Sequence, residues 1–387
     1  MRPLLPPRFI LPLSMFLSTF AWAFVQVSLP FYIQRVSPFD EASTLRWTGW
    51  ILGISSIVTV ATAPAWGKAA SLWSPKTLYI WVETLQGAGF FLMALARTLP
   101  ELFLARAVLG LMGAASTFAF IIAGSYGGDV RRDVSRIQSA MTVAQIVGPL
   151  AGAITASRIG FHQSFVVGGL LLVGCAVLVW RKVVYHPGVA ATTGRAGRVP
   201  LPELVTVCLL VLAGSNQIFF LPAILPQILP PLGVAPDHTL EAGGLIIFAT
   251  GVAAALGSLA APRLADLVGD RRTVVWFLAG SSVFVATLSL APGVWSFGTL
   301  RFLQVLCIAP VFPLSIAAII QRASGQTIGV LNSARIAASF IGPVVATTVL
   351  AAGPPAVVYL VLAAGGLAVV PLLLGRRGGA PGAAERP

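Results

Sequence analysis

Apolar residues in this chain come in long runs separated by short polar gaps. A run of about 20 apolar residues spans the roughly 30 Å hydrocarbon core of a bilayer as a helix. The pattern predicts twelve such helices, at approximately 9–33, 46–66, 77–96, 101–125, 138–157, 162–180, 204–228, 241–262, 273–291, 295–320, 329–351 and 355–374. Most gaps are short, so successive helices run antiparallel. The exception is Arg181 to Glu203, RKVVYHPGVAATTGRAGRVPLPE, which is polar, basic and rich in Gly and Pro. It reads as a flexible linker. The predicted organisation is a first six-helix half (residues 1–180), a linker (181–203) and a second six-helix half with a short tail (204–387).

The two halves repeat each other. Gln138 to Gly152 reads QSAMTVAQIVGPLAG, and Asn332 to Ala346 reads NSARIAASFIGPVVA. Ser139, Ala140, Ala144, Gly148 and Pro149 recur as Ser333, Ala334, Ala338, Gly342 and Pro343, where 343 − 149 = 194. Arg106 matches Arg301, and Ser71 matches Asp266 (301 − 106 = 266 − 71 = 195). Landmarks in separate helices share almost one offset, so the chain is two related units. Six helices per unit keep both units in the same orientation, as parallel repeats.

Composition sharpens the membrane reading. Hydrophobic residues are 57% and charged residues 10% of the chain, against about 45–50% and about 25% in soluble domains. Too little charge remains to coat a water-facing surface of this size. The net charge of +13 does not point to nucleic acid, because the basic residues are scattered in gaps between apolar runs. They report topology instead. With the N-terminus inside, 18 fall on cytoplasmic segments and four (Arg35, Arg46, Arg97, Arg158) on outer ones. That bias places both termini and the linker in the cytoplasm; a plasma (inner) membrane is the expected location. Arg2, Arg8, an apolar run and Ala21-Trp22-Ala23 imitate a secretory signal. The run continues through Pro30 to Ile33 and the repeat needs it as a helix, so no cleavage is expected. Cys175, Cys208 and Cys307 sit inside apolar runs, and His162, His186 and His238 at helix ends or in loops, without metal-ligand spacing.

Several residues stand out against this background. The loop after the eighth helix, APRLADLVGDRRTVV, carries Asp266, Gly269, Arg271 and Arg272. An acid, a turn-permitting Gly and a basic pair could latch one conformation across the cytoplasmic face, or only anchor the headgroups. Its counterpart, GKAASLWSPK, keeps Gly67 and Lys76. Arg106 opens RAVLGLMGAA about a turn or more below the outer surface, and either faces a wet cavity or snorkels outward; Arg301 has the same two readings. Gly148, Pro149 and Gly152 would kink and closely pack the fifth helix, as Gly342 and Pro343 would the eleventh, giving hinge candidates. Arg335 has no basic counterpart, since its repeat partner is Met141. It either lines an inner vestibule or anchors a helix end. Glu83 is the one acid well inside a predicted helix, about 9 Å from Thr77 at 1.5 Å per residue. It is either a proton site or a partner for Lys76 or Lys68 at the inner surface. No G-x-x-x-x-G-K-[ST], H-E-x-x-H or G-x-S-x-G motif is present, so ATP hydrolysis and the commoner hydrolase chemistries lack their groups and no enzyme is expected.

These motifs resemble the major facilitator superfamily. APRLADLVGDRRTVV is similar to its loop motif G-x-x-x-D-R-x-G-R-K, of which the first-half copy here has Ser71, Leu72 and Ser74 at the Asp, Arg and second Gly positions. RAVLGLMGAA resembles its Arg-containing fourth helix, and AQIVGPLAGA the G-P-x-x-G motif of the proton-coupled efflux branch. The resemblance implies an all-α integral membrane protein with the major facilitator fold. It implies that the first and seventh helices line a cavity, so that Gln26, Asn216 and Gln217, each near aromatic residues and proline, would contact an amphipathic cargo. The expected function is proton-coupled efflux of amphipathic small molecules by alternating access, with the proton gradient as energy source and no cofactor. A carrier dedicated to one metabolite, sugar or siderophore is the alternative, and a non-transporting membrane receptor a third. The expected partners are a small-molecule substrate and the lipid bilayer, with the protein acting as a monomer.

Overall fold

A computed structural model describes residues 7–125, 130–185, 199–320 and 325–374. Among these residues there is no strand. Twelve helical spans are long and apolar enough to cross a membrane: Phe9–Gln26, Glu41–Leu72, Pro75–Leu95, Leu99–Gly124, Arg132–Ile159, Phe161–Lys182, Leu201–Ile228, Pro236–Val268, Asp270–Leu290, Val294–Ser315, Val330–Leu350 and Pro355–Leu374. They are called spans 1 to 12 below. The number matches the apolar runs, while the ends differ. Span 2 is 32 residues, about 48 Å at 1.5 Å per residue, so it projects beyond the hydrocarbon. Span 6 reaches Lys182 and span 7 begins at Leu201, which shortens the linker; residues 186–198 of it lie outside the described set. So do His186 and, among the basic residues that set orientation, Arg2, Arg195, Arg198, Arg322, Arg376, Arg377 and Arg386.

Spans 4, 7 and 10 are interrupted along their length, and the helix of span 1 breaks at its end and resumes beyond Gln26; these are the first and fourth helices of each half. The breaks separate Pro7–Gln26 from Ser28–Val36, Leu99–Leu111 from Ala115–Gly124, Leu201–Phe219 from Leu221–Ile228, and Val294–Ile308 from Val311–Ile320. Proline accounts for three of them. Pro30, Pro222 and Pro310 lack an N–H and collide with the preceding turn. The fourth, at Met112–Ala114, contains no proline; there the Met112 carbonyl is taken by the Gln86 side chain. Between spans 8 and 9, Gly269 adopts φ +91°, a conformation that turns the chain sharply and disfavours any side chain.

Within the first half, span 1 packs on spans 5 and 6, and span 3 on span 6. Within the second, span 7 packs on span 11, and span 9 on spans 10 and 12. The halves meet along two seams, span 2 against span 11 and span 5 against span 8. Glycines let both seams close, Gly53 against Phe340 and Gly251 against Ile146, and one further glycine on each seam obeys the repeat (244 − 49 = 195). A side chain at Gly49 would meet Thr347, Val344 and the Pro343 carbonyl, and one at Gly244 would meet Ala153 and the Pro149 carbonyl. The two Gly-Pro motifs therefore look both ways. Gly148 lies against Phe20, Ala23 and Phe24 of span 1, and Gly342 against Asn216–Phe220 of span 7, while the following prolines face the other half. Both helices run through their prolines, as Val130–Ile159 and Gly325–Leu350.

The hydrophobic core is divided unequally. At the end away from the linker, one buried cluster includes residues of both halves, among them Leu29, Ile33, Ile51, Ala153, Leu221, Leu225, Ile246 and Ala346. Toward the linker end the core splits. Ile10, Leu11, Leu78, Tyr79 and Phe118 pack within the first half, and Leu210, Ala261, Leu278 and Val311 within the second. The molecule is thus sealed at the far end and parted at the linker end.

Gly152 is the tightest of these contacts. A Cβ there would overlap the Phe24 carbonyl oxygen, a backbone atom with no freedom to move aside. Gly152→Ala should destabilise the protein by about 1–3 kcal/mol through overpacking. Gly174→Ala, where a Cβ meets nothing within 4 Å, should not. Thermal unfolding of the two purified variants checks the contrast, and equal midpoints would refute it.

Candidate functional site

The parted halves enclose a cavity of about 870 Å³, within the range of small-molecule sites. Span 1 contributes Trp22 and Gln26, span 5 Gln138, Gln145 and Pro149, span 7 Phe219 and Pro222, span 8 Thr250, and span 11 Arg335. Pro149 has no N–H to offer Gln145 four residues earlier, so it frees a backbone carbonyl at a residue that lines the space. A side recess of about 350 Å³ shares Trp22, Gln26, Gln145, Phe219, Pro222 and Arg335 and adds Ser18, Gln86 and Arg106. Ser339 of span 11 and Ser56 of span 2 line it too and hydrogen-bond across the halves at 2.7 Å.

Arg106 is held at the recess by neutral groups. Its Nε donates to the Ile51 carbonyl at 3.2 Å and its Nη2 to that of Leu52 at 3.0 Å, both on span 2. Its guanidinium carbon stands 5.3 Å from the centroid of the Trp22 ring. Trp22 Nε1 donates in turn to Gln86 Oε1 at 2.8 Å, and Gln86 Nε2 to the Met112 carbonyl. Ser55 Oγ donates to the Arg106 carbonyl at 2.6 Å. Spans 1 to 4 are tied by this network, which opens onto the cavity.

Arg301 repeats the position but not the outlook. It is 1% exposed and lines neither space. Its Nη1 donates to the Gln217 carbonyl at 2.7 Å and also to Gln304 Oε1, and its Nη2 to the Ile218 carbonyl at 2.9 Å. The Ile218 carbonyl is the one that Pro222, four residues on, cannot bond. Arg301 therefore repairs the break in span 7.

Gln217 and Asn216, expected at the cavity wall, are not among the residues that line it. Gln217 is fully buried inside the second half. It accepts from Ser281 Oγ at 2.6 Å and donates to Ser282 Oγ at 3.0 Å and to the Leu362 carbonyl at 3.3 Å. Asn216 is part-buried, with an unpartnered Oδ1. The cavity is reached instead by their neighbours Ile218, Phe219 and Pro222, on the opposite face of the helix. Gln217 and Ser281 stand at the repeat positions of Trp22 and Gln86 (217 − 22 = 281 − 86 = 195). Trp22 and Gln86 escaped sequence reasoning; applying the repeat offset to polar and aromatic positions would have singled them out.

Glu83 and the loop charges do not make the surface ion pairs that the sequence left open. Glu83 is fully buried between spans 1, 3 and 6 rather than paired at the surface, and Lys76 Nζ donates to the Trp180 carbonyl at 3.1 Å. Ser18 and Tyr79 lie beside the Glu83 carboxyl, yet neither of its oxygens makes a hydrogen bond. Tyr79 Oη is engaged with Ser14 Oγ at 2.8 Å. On the second-half loop, Arg271 Nη2 donates to the Leu374 carbonyl at 2.8 Å and to that of Leu373. Asp266 is exposed and makes no ion pair with Arg271 or Arg272, which is itself exposed, so no latch is closed here. Gly67 has open space around it. Among the described residues, Arg335 is the cation that lines the cavity, with the Phe312 ring centroid 5.3 Å from its guanidinium carbon.

The sequence matches the Major Facilitator Superfamily over residues 11–235 and again over 204–386. It is 24% identical over 332 residues to the uncharacterized MFS-type transporter YuxJ of Bacillus subtilis, covering 82% of this chain and 83% of that one. It is 23% identical over 359 residues to the multidrug resistance protein MdtG of Citrobacter koseri, covering 88% and 87%. The fold is similar to the crystal structure of the nucleoside transporter NupG, with a TM-score of 0.73, 14% identity and coverage of 96% and 99%.

The buried Gln217 and the exposed Gln26 predict opposite behaviour. Gln217→Leu leaves Ser281, Ser282 and Gln304 short of partners and should cost about 1–3 kcal/mol per stranded group. Gln26→Leu, on the cavity wall, should leave thermal stability in place. Thermal unfolding of both purified variants tests this, and an unchanged midpoint for Gln217→Leu would refute the structural role.

Proposed function

The chain belongs to the Major Facilitator Superfamily and is a transporter rather than an enzyme, and from that premise we propose that it exports amphipathic small molecules by alternating access driven by the proton gradient. One observation carries the reading. The cavity lies between two repeats that share a core at one end and part at the other. Rocking the halves about the seams at Gly49 and Gly244 would close the linker end and open the far end around a central cargo. The bias of basic residues, 18 against four, supports a cytoplasmic linker end. The conformation described here is then the one that loads cargo from the cytoplasm.

The lining fits an amphipathic cargo. Trp22, Phe219 and Pro222 offer apolar surface, and Gln26, Gln138 and Gln145 offer directional polar contacts. The same three amides favour the competing reading, a carrier for one polar metabolite. Similarity to MdtG, a multidrug resistance protein, favours the first.

Glu83 is the group that suits proton coupling. Its carboxyl is buried without a hydrogen bond, and Ser18, one of its neighbours, lines the side recess. Ser18 thus links the buried acid to the recess. Tyr79 and Cys175 are the other titratable groups facing it, and no cation is among its neighbours within the described residues.

Retention of a neutral lipophilic dye in pump-deficient cells tests the export reading. The wild-type chain should lower retention, and an uncoupler should restore it. Arg106→Ala should remove the effect while the protein stays in the membrane. Glu83→Gln should abolish the dependence on the gradient. Retention equal to that of cells without the chain would reject multidrug export in favour of the dedicated carrier.

A further inference from the structure

We propose that the cavity selects amphipathic anions, an aromatic or aliphatic body carrying a carboxylate, sulfonate or phosphate. The inference rests on the transporter reading and names the class of its cargo. Two cations reach the side recess, Arg106 from the first half and Arg335 from the second. No carboxylate is among the described residues that line the recess or the larger cavity.

Among the described residues neither charge meets a carboxylate. Arg106 gives its Nε and Nη2 to uncharged carbonyl groups. Arg335 has a buried, unpartnered Nε, and its contact among the described residues is the face of Phe312. An unpaired guanidinium in a space walled by low-dielectric protein attracts an anion strongly and repels a cation, because little water screens either force. Guanidinium also offers two parallel donors, which suit the oxygens of a carboxylate or phosphate. Trp22 and Phe219 stand in the same recess to take an apolar body.

The placement on opposite halves gives the charge a second consequence. Without cargo, two like charges on opposite halves border one recess and favour separation. An anion between them removes that repulsion and bonds to both halves. Cargo of this class would thus draw the linker end closed, whereas a cation would add to the repulsion.

Three probes of one shape test the class: 1-naphthoate, 1-naphthamide and 1-naphthylmethylammonium. Each is titrated against the purified full-length protein by thermal unfolding, where binding to the folded state raises the midpoint. Naphthoate should bind at least about tenfold more tightly than the amide, with the ammonium weakest. Arg335→Gln should bring naphthoate and naphthamide to near-equal affinity, and Arg335→Lys should restore part of the preference. The unliganded midpoint should stay in place in both variants. Equal affinity for the three, preference for the ammonium, or a preference untouched in Arg335→Gln would overturn the proposal. Binding of none of them, with dye export intact in cells, would overturn the anion class alone. Naphthoate selectivity without dye export would keep the anion site and remove multidrug efflux.

Discussion

A guanidinium group inside a membrane protein must find acceptors in the protein, because the hydrocarbon around it supplies none. Arg106 and Arg301 both meet this constraint with backbone carbonyls. A helix spends its carbonyls on its own N–H groups, so spare acceptors arise where that ladder is broken or shared. Pro222 creates one at Ile218, and Arg301 occupies it. Much of the second half follows from that bond. Gln217 is held at the break, Gln304 and the two serines close around it, and the network has no face left for the cavity. In the first half the arginine turns to span 2 instead, and Trp22 and Gln86 leave it partly free.

The two halves therefore keep one architecture and divide its uses. Where the second-half arginine is closed off from the cavity, with its Nε buried and unpartnered, the first-half arginine borders a recess and an acid lies beside a serine that lines it. A densely bonded buried network behaves as a rigid body, since most rearrangements strand a buried partner. An incomplete one can accept a ligand or a proton at little structural cost. Asymmetry between repeats is then the expected condition of a carrier whose halves move against each other with cargo between them.

The twelve spans, the halves and the loop positions were legible in the sequence because lipid imposes long apolar runs and the repeat offset aligns them. What lay hidden was direction around each helix. Glu83 was placed by its height above Thr77, which says how deep it sits but not what it faces; span 1 and span 6 bury it. Gln26 and Gln217 look equivalent beside their aromatic neighbours, yet one lines the cavity and the other faces away from it. A near-uniformly apolar span shows little contrast between its faces, so the sequence carries weak information about rotation. Arg271 was read as a partner for an acid. The free carbonyls at the end of the last span were the nearer acceptors, and these are backbone groups that no motif displays.

Lys76 and Arg271 occupy equivalent positions (271 − 76 = 195), and each ends on the carbonyls that terminate the last span of its own half. Each basic side chain joins the start of the third helix of a bundle to the end of the sixth. The first bundle is consequently fastened with residues that have all left the ribosome before the second bundle is made. Insertion can proceed as two successive and self-contained acts of assembly, with the polar linker providing the pause between them.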